Sequence, residues 1–371
     1  MSKVVHLTSV HSPFDPRILH KECRTLAEAG YEVVLVAPHD RDEVVGGVRI
    51  RHVRKARTRP ERMMRTALDV LRAAIDEHAA LYHFHDPELI PAGLALKARG
   101  ARVVYDVHEH VPLQARTKSW LAPPLRNGMA IAAEAIEGVA GAVLDAIVTV
   151  TPTIARRFPR TRTVLVANFP MLDEITAVDG LPYAERPQEV LYLGIITGIR
   201  GVREMVGAID RLPERLGATL QLAGTFVEDP ETEEVVRAMP GWERTRFLGW
   251  QGRHEVSALL ARARVGMLLL YPTEYYLDAY PTKLYEYMAA GVPVVGSDLP
   301  LVRQVIDESG CGLAVDPLDV DAVAGAVRWL LTHPDEAEAM GRRGQAAVRE
   351  HYNWGGEGEK LVALYRRLLP G

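Results

Sequence analysis

Short apolar, β-branched runs alternate with helical patterns along the entire chain, and this alternation constrains the fold more than any other feature. The first half contains VVHLTS, EVVLVA, LYHFH, RVVYDV, AIVTV and TVLVA, and the second half contains EVLYLG, ATLQLAG, RVGMLLL, VPVVGS and GLAV. Continuous apolar runs are typical of strands covered on both faces. Strands joined through helices form parallel sheets with right-handed crossovers. We therefore predict an α/β fold of doubly wound parallel sheets.

The length and one polar segment predict two domains. The 371 residues fit two or three domains at about 150 residues each. The alternation falters over residues 171–186, MLDEITAVDGLPYAER, whose polar residues, Gly and Pro are typical of a linker. We predict one domain over residues 1–175 and a second over residues 176–352. The crevice between two such domains is a common place for a ligand.

Charge and cysteine content exclude several classes of protein. The net charge is −4, whereas a protein that coats nucleic acid is usually basic, so no nucleic-acid partner is expected. Cys23 and Cys311 are too few for a disulfide framework, which indicates a reducing, cytoplasmic setting. The apolar stretch Met129–Val150 contains three acidic residues, so it predicts a buried helix followed by a strand instead of a membrane span.

The segment from residue 268 to 300, LLLYPTEYYLDAYPTKLYEYMAAGVPVVGSDLP, contains the strongest candidate for a binding site. A strand leads through a loop into a helix that begins near Pro281, where free N–H groups form an anion site. Lys283 in the first turn opposes the helix dipole unless an anion binds there. Glu286 follows one turn later, and Asp278 precedes Glu286 by eight residues. This arrangement suits a diphosphate flanked by two polyols; the alternative is an exposed Lys283–Glu286 pair on an amphipathic helix.

A glycine-rich loop follows the first strand of the second predicted domain. The residues Gly194–Gly201, GIITGIRG, allow the backbone to approach a phosphate closely, and Arg200 can bind it through two N–H groups. Thr197 adds a hydroxyl. The alternative interpretation is an ordinary turn between a strand and a helix.

Taken together, these motifs resemble those of the bacterial family-4 glycosyltransferases. PTKLYEYMAAGVPVVGSD resembles the donor-binding signature of that family, and YLGIITGIRG resembles its pyrophosphate loop. HSPFDPRILHKEC, HFHDPEL and VVYDVHEH resemble segments of its N-terminal domain, and HYNWGGEGEKLVALY resembles its closing helix. The resemblance implies the GT-B fold, in which two Rossmann-like domains face each other across a cleft. It also implies that residues 353–371 pack back on the first domain.

The resemblance assigns roles to individual residues. Glu286 would bind the ribose hydroxyls, Asp278 the hydroxyls of the donor sugar, and Arg200 the diphosphate. His108 would point at the donor sugar, so that His108, Asp278 and Arg200 are the candidate catalytic residues. The donor-binding set is Gly194, Thr197, Gly198, Arg200, Asp278, Thr282, Lys283, Leu284 and Glu286. The acceptor-side candidates are His11, Asp15, Arg17, His85, Asp86 and Glu109.

The sequence also departs from the family pattern. The family has a glutamate where this chain has Asp278, and an arginine where it has Ile195. The loop after the first strand, TSVHSPFD, lacks the glycine pair of the family. These departures leave the donor sugar open.

The sequence predicts neither a metal nor a cofactor. His11, His20, His83, His85 and His110 show no H-x-x-x-H spacing, and we interpret them as scattered. The triplets at residues 40–42 and 319–321 have the D-x-D pattern that can hold a divalent cation. We interpret both as ordinary polar residues, with Asp319 capping a helix.

The predicted function is metal-independent transfer of a sugar from a nucleotide-diphosphate sugar to a hydroxyl acceptor, with retention implied by the resemblance. We favour a UDP-sugar, with a GDP-sugar as the alternative, and a product that is a surface glycan, a glycolipid or a secondary metabolite. One rival is a nucleotide-sugar epimerase of the same fold. A second is a non-catalytic relative that binds sugar nucleotides.

A basic segment suggests where the acceptor comes from. Residues 49–65, RIRHVRKARTRPERMMR, contain eight Arg or Lys and one acid. Nearby in sequence are Arg116, Lys118, Trp120, Leu121 and Arg126. Such a mixture attracts an anionic membrane surface or a lipid-linked phosphate, which predicts peripheral contact with the inner membrane face. The alternative is a solvated arginine-rich loop and a soluble small-molecule acceptor.

Overall fold

The protein, described by a computed structural model, consists of two compact units. The structure describes residues 2–58, 61–117, 122–172, 181–227 and 230–370. Unit 1 comprises Met1–Asn168 and Trp354–Gly371, and unit 2 comprises Phe169–Asn353. The predicted boundary between residues 175 and 176 falls outside the described residues.

Unit 1 contains an eight-stranded sheet in the order β3-β4-β2-β1-β5-β6-β7-β8. Every pairing is parallel except that of β3 with β4. The strands are β1 Lys3–Leu7, β2 Glu32–Pro38, β3 Glu43–Val45, β4 Val48–Val53, β5 Leu81–Phe84, β6 Arg102–Val107, β7 Ala146–Thr149 and β8 Thr163–Leu165.

The helices of unit 1 cover this sheet. A π-helical stretch Pro16–Cys23 leads into α1 Arg24–Glu28, and Arg62–Thr66 leads in the same way into α2 Ala67–Asp76. The others are α3 Ile90–Ala98, α4 Val111–Thr117, α5 Pro123–Val143, α6 Pro152–Ala155 and, from the end of the chain, the helix Trp354–Leu368.

Unit 2 contains a six-stranded parallel sheet in the order β11-β10-β9-β12-β13-β14. Its strands are β9 Glu189–Leu193, β10 Thr219–Ala223, β11 Thr245–Gly249, β12 Val265–Leu268, β13 Val294–Ser297 and β14 Gly312–Val315. Its helices are α7 Val202–Arg211, α8 Pro230–Arg237, α9 Arg253–Arg262, α10 Glu274–Leu277, α11 Thr282–Ala289, α12 Pro300–Ser309, α13 Val320–Thr332 and α14 Pro334–Glu350. The helix Trp354–Leu368 of unit 1 follows as α15.

The two parallel sheets confirm the predicted fold class. The continuous apolar runs form the central strands, because β1, β2, β5, β9 and β12 lie in the interior of their sheets. Three strands were missed. β3 is a short antiparallel strand at a sheet edge, β4 places polar residues between its apolar ones, and β11 is a half-exposed edge strand. None of the three carries the long apolar run that a strand covered on both faces requires.

One prediction about burial was wrong. The helix expected to be buried within Met129–Val150 is α5, and most of its surface is exposed. Only a narrow side of α5, including Ala130, Glu137 and Gly141, is buried. The alanine and glycine content of this helix allows a close approach on that side. The larger apolar residues of α5 point away from this buried side, and hydropathy alone does not reveal the direction in which they point.

Candidate functional site

The donor-side residues of unit 2 lie at the point where its strand order reverses. The chain runs from β9 through β10 to β11 on one side, and β12 pairs with β9 on the other. In open parallel sheets, ligands bind outside the carboxyl ends of the strands at such a point. The loop after β9 carries Gly194 to Gly201, and the segment after β12 carries Asp278 to Glu286. The two predicted motifs therefore come from strands that are adjacent at the reversal.

Two cations flank Gly194. Its φ of 132° is favourable for glycine, and a Cβ placed there would lie 3.8 Å from Arg200 Nη1 and 3.8 Å from Lys283 Cε. Because both side chains reach the same backbone position, an anion at this loop would meet both. The absence of a side chain at Gly194 leaves the space between them open.

Aromatic hydroxyls hold Arg200 in position. Arg200 Nε donates to Tyr276 Oη at 3.1 Å, and the guanidinium lies 5.9 Å from the centre of the Tyr276 ring. Burial alone would lower the pKa of Arg200, but the hydroxyls of Tyr276 and Tyr192 raise it overall. The side chain is therefore a fixed cation.

A cavity of about 540 Å³ opens beside Arg200. Thr197 lines it, and the Thr197 hydroxyl oxygen is buried without a hydrogen-bond partner among the described residues. A buried hydroxyl without a partner is unfavourable, so a polar ligand group in the cavity would stabilise it. The remaining lining residues are Ile195, Gly198, Ile199, Arg203, Val227, Thr232, Tyr271 and Tyr276.

Helix α11 begins as predicted, and the Lys283–Glu286 pair is formed. Pro281 occupies the N-cap position and Thr282 is exposed. Lys283 Nζ lies 2.9 Å from Glu286 Oε1 and 2.7 Å from Oε2. The ion pair of the alternative interpretation is therefore formed, and each side chain neutralises the charge of the other. An anionic ligand would have to draw Lys283 away from Glu286.

Two further donor-side residues differ in their placement. Asp278 lies at the C-terminal end of α10 and is partly exposed. Leu284, in contrast, is fully buried in the core, and its N–H donates to the Pro281 carbonyl. The side chain of Leu284 therefore belongs to the core, and its place in the donor-binding set stays a prediction.

A second polar group lies at the corresponding point of the unit 1 sheet. β1 pairs with β2 on one side and with β5 on the other, and the residues concerned lie in or after β1, β5 and β6. His85 is central to this group. Its Nε2 lies 2.9 Å from His6 Nδ1, and its Nδ1 lies 3.2 Å from both Asp106 Oδ2 and His108 Nε2. His108 also contacts Asp106 Oδ2 directly.

Asp106 holds the negative charge of this group. Arg17 binds it through Nε and Nη2, each at 3.1 Å, and Arg17 Nε also lies 2.9 Å from Glu22 Oε1. Burial would raise the pKa of Asp106, but Arg17 and His108 hold it well below its usual range. Burial, followed by the adjacent Asp106, raises the pKa of Glu22. The arrangement is an Arg17–Asp106 ion pair with Glu22 beside it.

His11 forms a separate, partly exposed charge pair. His11 Nε2 lies 3.2 Å from Asp86 Oδ1, and His11 Nδ1 lies 3.5 Å from Asp15 Oδ2. These two carboxylates, Asp15 first, raise the pKa of His11 to about 10. Asp86 is fixed by the Thr8 hydroxyl at 2.8 Å and the Ser9 N–H at 2.6 Å. His11 is therefore an imidazolium at neutral pH.

The acceptor-side candidates divide into exposed and buried residues. His11, Asp15, Glu109 and the candidate catalytic His108 all have exposed surface. Glu109 also accepts a hydrogen bond from Gln114 Nε2 at 2.7 Å. Arg17, His85 and Asp86 are buried. The polar atoms of these three residues bind neighbouring groups, and their place among the acceptor-side candidates stays a prediction.

The interpretation of the histidines as scattered was wrong for His83 and His85, whose ring centres lie 4.9 Å apart. His6 and His83 are register partners on β1 and β5, and Tyr365 Oη lies 3.0 Å from His6 Nε2 and 2.9 Å from His83 Nδ1. Sequence reasoning missed His6, Glu22 and Tyr365 altogether. The available signal was a histidine within each of two fully apolar strands, because a buried imidazole requires a partner.

Two overlapping sets of side chains in this group have the chemistry of metal ligands. They are Glu22, His85, Asp106 and His108, and His6, Glu22 and His83. Arg17 lies against both Glu22 and Asp106. Its guanidinium therefore already supplies the positive charge that a metal ion would bring to these two carboxyl groups. The two D-x-D triplets have ordinary partners: Asp40 binds Lys55, Asp42 binds His52, and Asp319 caps α13. Metal independence stays a prediction.

The basic segment carries less free positive charge than its composition predicts. Arg49 and Arg51 both bind Glu77, with their closest contacts at 2.5 and 2.9 Å. Lys55 binds Asp40 at 2.9 Å and Arg62 binds Glu88 at 3.1 Å. Arg59, Lys118, Trp120 and Leu121 lie outside the described residues. Within the described ranges, the structure contains no helix of the length and apolar character needed to span a bilayer.

Both halves of the chain match models of glycosyltransferase families. Residues 16–165 match the model for Glycosyltransferase Family 4, and residues 176–347 match the model for Glycosyl transferases group 1. A curated relative, the glycogen synthase of Mycobacterium tuberculosis, is 29% identical over 197 residues, which cover 50% of this chain and 46% of the relative. The chain thus spans about half the length of that relative.

Solved structures share the fold over nearly the full length. Sucrose-phosphate synthase from Thermosynechococcus elongatus matches with a TM-score of 0.79 and 19% identity, covering 99% of each chain. HepE from Anabaena, solved in complex with UDP and glucose, matches with a TM-score of 0.74 and 11% identity, covering 99% of this chain and 100% of HepE. These likenesses confirm the GT-B fold class. With the two family models matched in succession, this chain belongs to the family-4 glycosyltransferases.

Proposed function

We propose that this protein transfers a sugar from a nucleotide-diphosphate sugar to a hydroxyl acceptor, with the donor bound by unit 2. One observation carries the proposal: Arg200 and Lys283 flank the side-chain-free Gly194 where the β9 and β12 loops meet. A diphosphate is the anion that two convergent cations and a helix N-terminus suit best. A UDP-sugar is the favoured donor and a GDP-sugar the alternative. The UDP complex of HepE supports this preference.

The same residues would stabilise the departing diphosphate. As the bond between the sugar carbon and the phosphate oxygen breaks, negative charge collects on that oxygen, beside Arg200 and Lys283. We propose that the acceptor hydroxyl attacks from the same face and gives its proton to the leaving phosphate, which retains the anomeric configuration. Asp278 would bind hydroxyls of the donor sugar, and His108 is the other candidate for contact with the sugar. No metal or cofactor is required in this scheme.

The basic segment bears on the nature of the acceptor. We favour a hydroxyl acceptor, a small molecule or a lipid-linked molecule, in the synthesis of a surface glycan, glycolipid or secondary metabolite within the cytoplasm. Arg54 and Arg57 lie in the basic segment with exposed side chains. Peripheral binding to an anionic membrane through this segment should be reversed by salt. Vesicle flotation with and without acidic lipid, at low and high salt, tests this contact.

Incubation with a panel of UDP-, GDP- and TDP-sugars in the presence of EDTA tests the reaction class. Transfer or slow hydrolysis releases the nucleoside diphosphate. An epimerase converts the sugar without releasing the nucleotide, and a non-catalytic relative shows ligand-induced thermal stabilisation alone. NMR of the product anomeric proton then tests retention. Loss of activity in EDTA, restored by a divalent cation, would contradict metal independence.

Glu286→Gln tests the placement of the donor. Charge-assisted bonds to two ribose hydroxyls are worth about 1.5–3 kcal/mol each, so the variant should bind the nucleoside diphosphate roughly 10-fold or more weakly in calorimetry. Glu338→Gln is the matched control, because Glu338 forms a comparable ion pair within a helix. Its Oε1 lies 2.9 Å from Arg342 Nη1, on helix α14 and outside the donor-side loops. Equal affinity of the two variants would remove Glu286 from the donor site.

A further inference from the structure

An unbroken chain of hydrogen-bonding side chains runs through the core of unit 1 and ends at the candidate catalytic histidine. Its members lie in or directly after β1, β5, β6 and α15, and in order they are His83, Tyr365, His6, His85, Asp106 and His108. The first four contacts are 2.9, 3.0, 2.9 and 3.2 Å long. All members are buried except His108, whose side chain is 14% exposed. The chain therefore joins the core to a residue that a ligand can reach.

Each contact in this chain holds one proton, so the direction of donation is a property of the whole chain. Burial lowers the pKa of His6 and His83 well below the usual range, and it lowers the pKa of His85 to about 4. Each of these imidazoles therefore carries a single N–H, and a neutral imidazole that donates from one nitrogen accepts at the other. Two directions satisfy every contact: all donors point towards Asp106, or all point away from it.

Asp106 selects the direction at one end. Arg17 binds its two carboxylate oxygens, each at 3.1 Å, and a carboxylate only accepts hydrogen bonds. His85 Nδ1, 3.2 Å from Asp106 Oδ2, is then the N–H, and His85 Nε2 accepts from His6. The opposite direction would set a lone pair of His85 against the carboxylate. The 3.2 Å between His85 Nδ1 and His108 Nε2 then separates two donors that share Asp106 Oδ2.

His83 and Glu22 favour the same direction. His83 Nε2 is buried without a hydrogen-bond partner among the described residues. When donation runs towards Asp106, His83 donates from Nδ1 and only a lone pair is left unused at Nε2. The opposite direction would bury an N–H there without an acceptor, which is rarer in proteins than an unused acceptor. Glu22 Oε2 also lies 3.9 Å from Nδ1 of both His6 and His83, and a carboxyl oxygen favours an N–H on the nearer nitrogen.

We propose that four buried side chains form a directed hydrogen-bond chain that positions His108 for a substrate hydroxyl. These positioning residues are His83, Tyr365, His6 and His85. The inference rests on the proposed function, in which His108 is a candidate for contact with the sugar. Because Asp106 accepts from His108 Nε2, neutral His108 presents a lone pair at Nδ1. His108 therefore accepts a hydrogen bond from the substrate hydroxyl instead of donating one.

Side-chain ¹⁵N NMR of the full chain tests the direction, because it identifies which imidazole nitrogen carries the proton. We expect the Nδ1–H tautomer at His6, His83 and His85, and the Nε2–H tautomer at neutral His108. An Nε2–H tautomer at any of the three buried histidines would overturn the proposal. The measurement needs neither a substrate nor a variant, so it decides the direction whether or not the protein transfers a sugar.

Asp106→Asn tests the coupling along the chain. The new amide, with its oxygen bound to Arg17, turns an N–H towards His85, which should become the Nε2–H tautomer and reverse His6 and His83 in turn. In the double variant with Tyr365→Phe, the reversal should stop at His6. His83 should then match its state in Tyr365→Phe alone. A reversal confined to His85, or one that reaches His83 without the Tyr365 hydroxyl, would contradict a continuous chain.

Steady-state kinetics of Asp106→Asn tests the link to the reaction. The reversed chain makes His108 a donor at Nδ1, so kcat should fall roughly 10-fold through the loss of one transition-state hydrogen bond. The affinity for the nucleoside diphosphate, which unit 2 binds in the proposed function, should not change.

Asp145→Asn is the matched control for the kinetics. Asp145 is a carboxylate of unit 1 with a 7% exposed side chain, and it binds Lys97 at 2.8 Å and Arg102 at 3.0 Å without contacting a histidine. Its kcat should equal that of the unsubstituted protein. Equal kcat for the two variants would overturn the positioning role while the proposed function stands. Absence of transfer by the unsubstituted protein would overturn the proposed function and the role of His108 together.

Discussion

The neighbouring histidines of unit 1 differ in charge, and their environments explain why. His11 meets two carboxylates, which raise its pKa to about 10. His85 is fully buried, and burial lowers its pKa to about 4 despite the adjacent Asp106. The charged His11 is therefore partly exposed to solvent, while the neutral, buried His85 contacts His6, Asp106 and His108.

We expect neither His11 nor His85 to titrate between pH 6 and 8. Side-chain ¹⁵N NMR should show His11 as imidazolium and His85 as neutral imidazole throughout that range. Because the folded-state pKa of His11 is raised, its contribution to the free energy of unfolding is complete below about pH 6.5 and declines as the pH rises towards 10. The difference in the free energy of unfolding between the protein and His11→Gln should therefore shrink as the pH rises towards 10. A His11 resonance titrating near pH 6.5 would contradict this assignment.

Tyr365→Phe should destabilise unit 1. The lost hydroxyl leaves His6 Nε2 and His83 Nδ1 without a buried partner, which costs about 1–3 kcal/mol in the free energy of unfolding. Tyr285→Phe is the matched control, since Tyr285 is also buried but its hydroxyl has no partner among the described residues. That variant should be neutral or slightly stabilising. Equal effects of the two substitutions in denaturant unfolding would contradict the role of Tyr365.

At the scale of residues, sequence reasoning located charged groups better than buried ones. Lys283, Glu286, Arg200 and Gly194 were recognised because a cation in the first turn and glycines after a strand are unusual positions. The distances between these residues depend on which strands are adjacent in the sheet, and the sequence alone does not give the strand order. The His6–His83 contact likewise arises from strand register.

At the scale of elements, glycines set how closely the loops of unit 2 approach. Gly201 has a φ of 71° and ends the turn that carries Arg200. A Cβ there would lie 2.5 Å from Leu269 Cβ and 2.6 Å from the Leu269 carbonyl oxygen. The β12 segment therefore passes directly over Gly201, which couples the two donor-side loops.

Gly201→Ala should cost several kcal/mol and weaken nucleotide binding. The clash with Leu269 must push the β12 segment away, which displaces Arg200 as well. Gly217→Ala is the matched control, because Gly217 also ends a short turn, at a φ of 60°, but the position is open among the described atoms. The free energy of unfolding of Gly217→Ala should fall by about 1 kcal/mol. Denaturant unfolding and calorimetry compare the two, and similar losses would refute the coupling.

The order and type of most elements were predictable, whereas their exposure was not. The β9 and β12 strands follow from their apolar runs. The start of α11 follows from Pro281 and Thr282. The exposure of α5 does not follow, because its hydropathy resembles that of a buried helix. What distinguishes α5 is the direction of each side chain relative to the sheet, a property of tertiary packing.

At the scale of the whole molecule, unit 1 is built from both ends of the chain. α15 contributes Trp354, whose Nε1 donates to Thr25 Oγ1 at 2.8 Å, and Glu357, which accepts from the Ala167 N–H at 2.9 Å. Leu361 and Leu364 are buried in the same unit. The closing helix is therefore part of the core of unit 1.

Removal of residues 354–371 should destabilise unit 1 selectively. Hydrogen exchange followed by mass spectrometry should show faster exchange in β1 and β5, which carry His6 and His83, while β9 and β12 keep their protection. Removal of residues 369–371 alone is the control and should change neither unit. Equal loss of protection in both units would show that the units do not fold separately.

The contribution of α15 to unit 1 has a consequence for the order in which the protein forms on the ribosome. Residues 1–168 emerge first, but the partners of Thr25, His6 and His83 are made only after residue 353. The contiguous unit 2 is complete before then. During synthesis, the amino-terminal sheet must therefore wait without the Tyr365 hydroxyl that contacts His6 and His83 while the second unit folds. Unit 1 therefore becomes native only after residues 354–368 have been made.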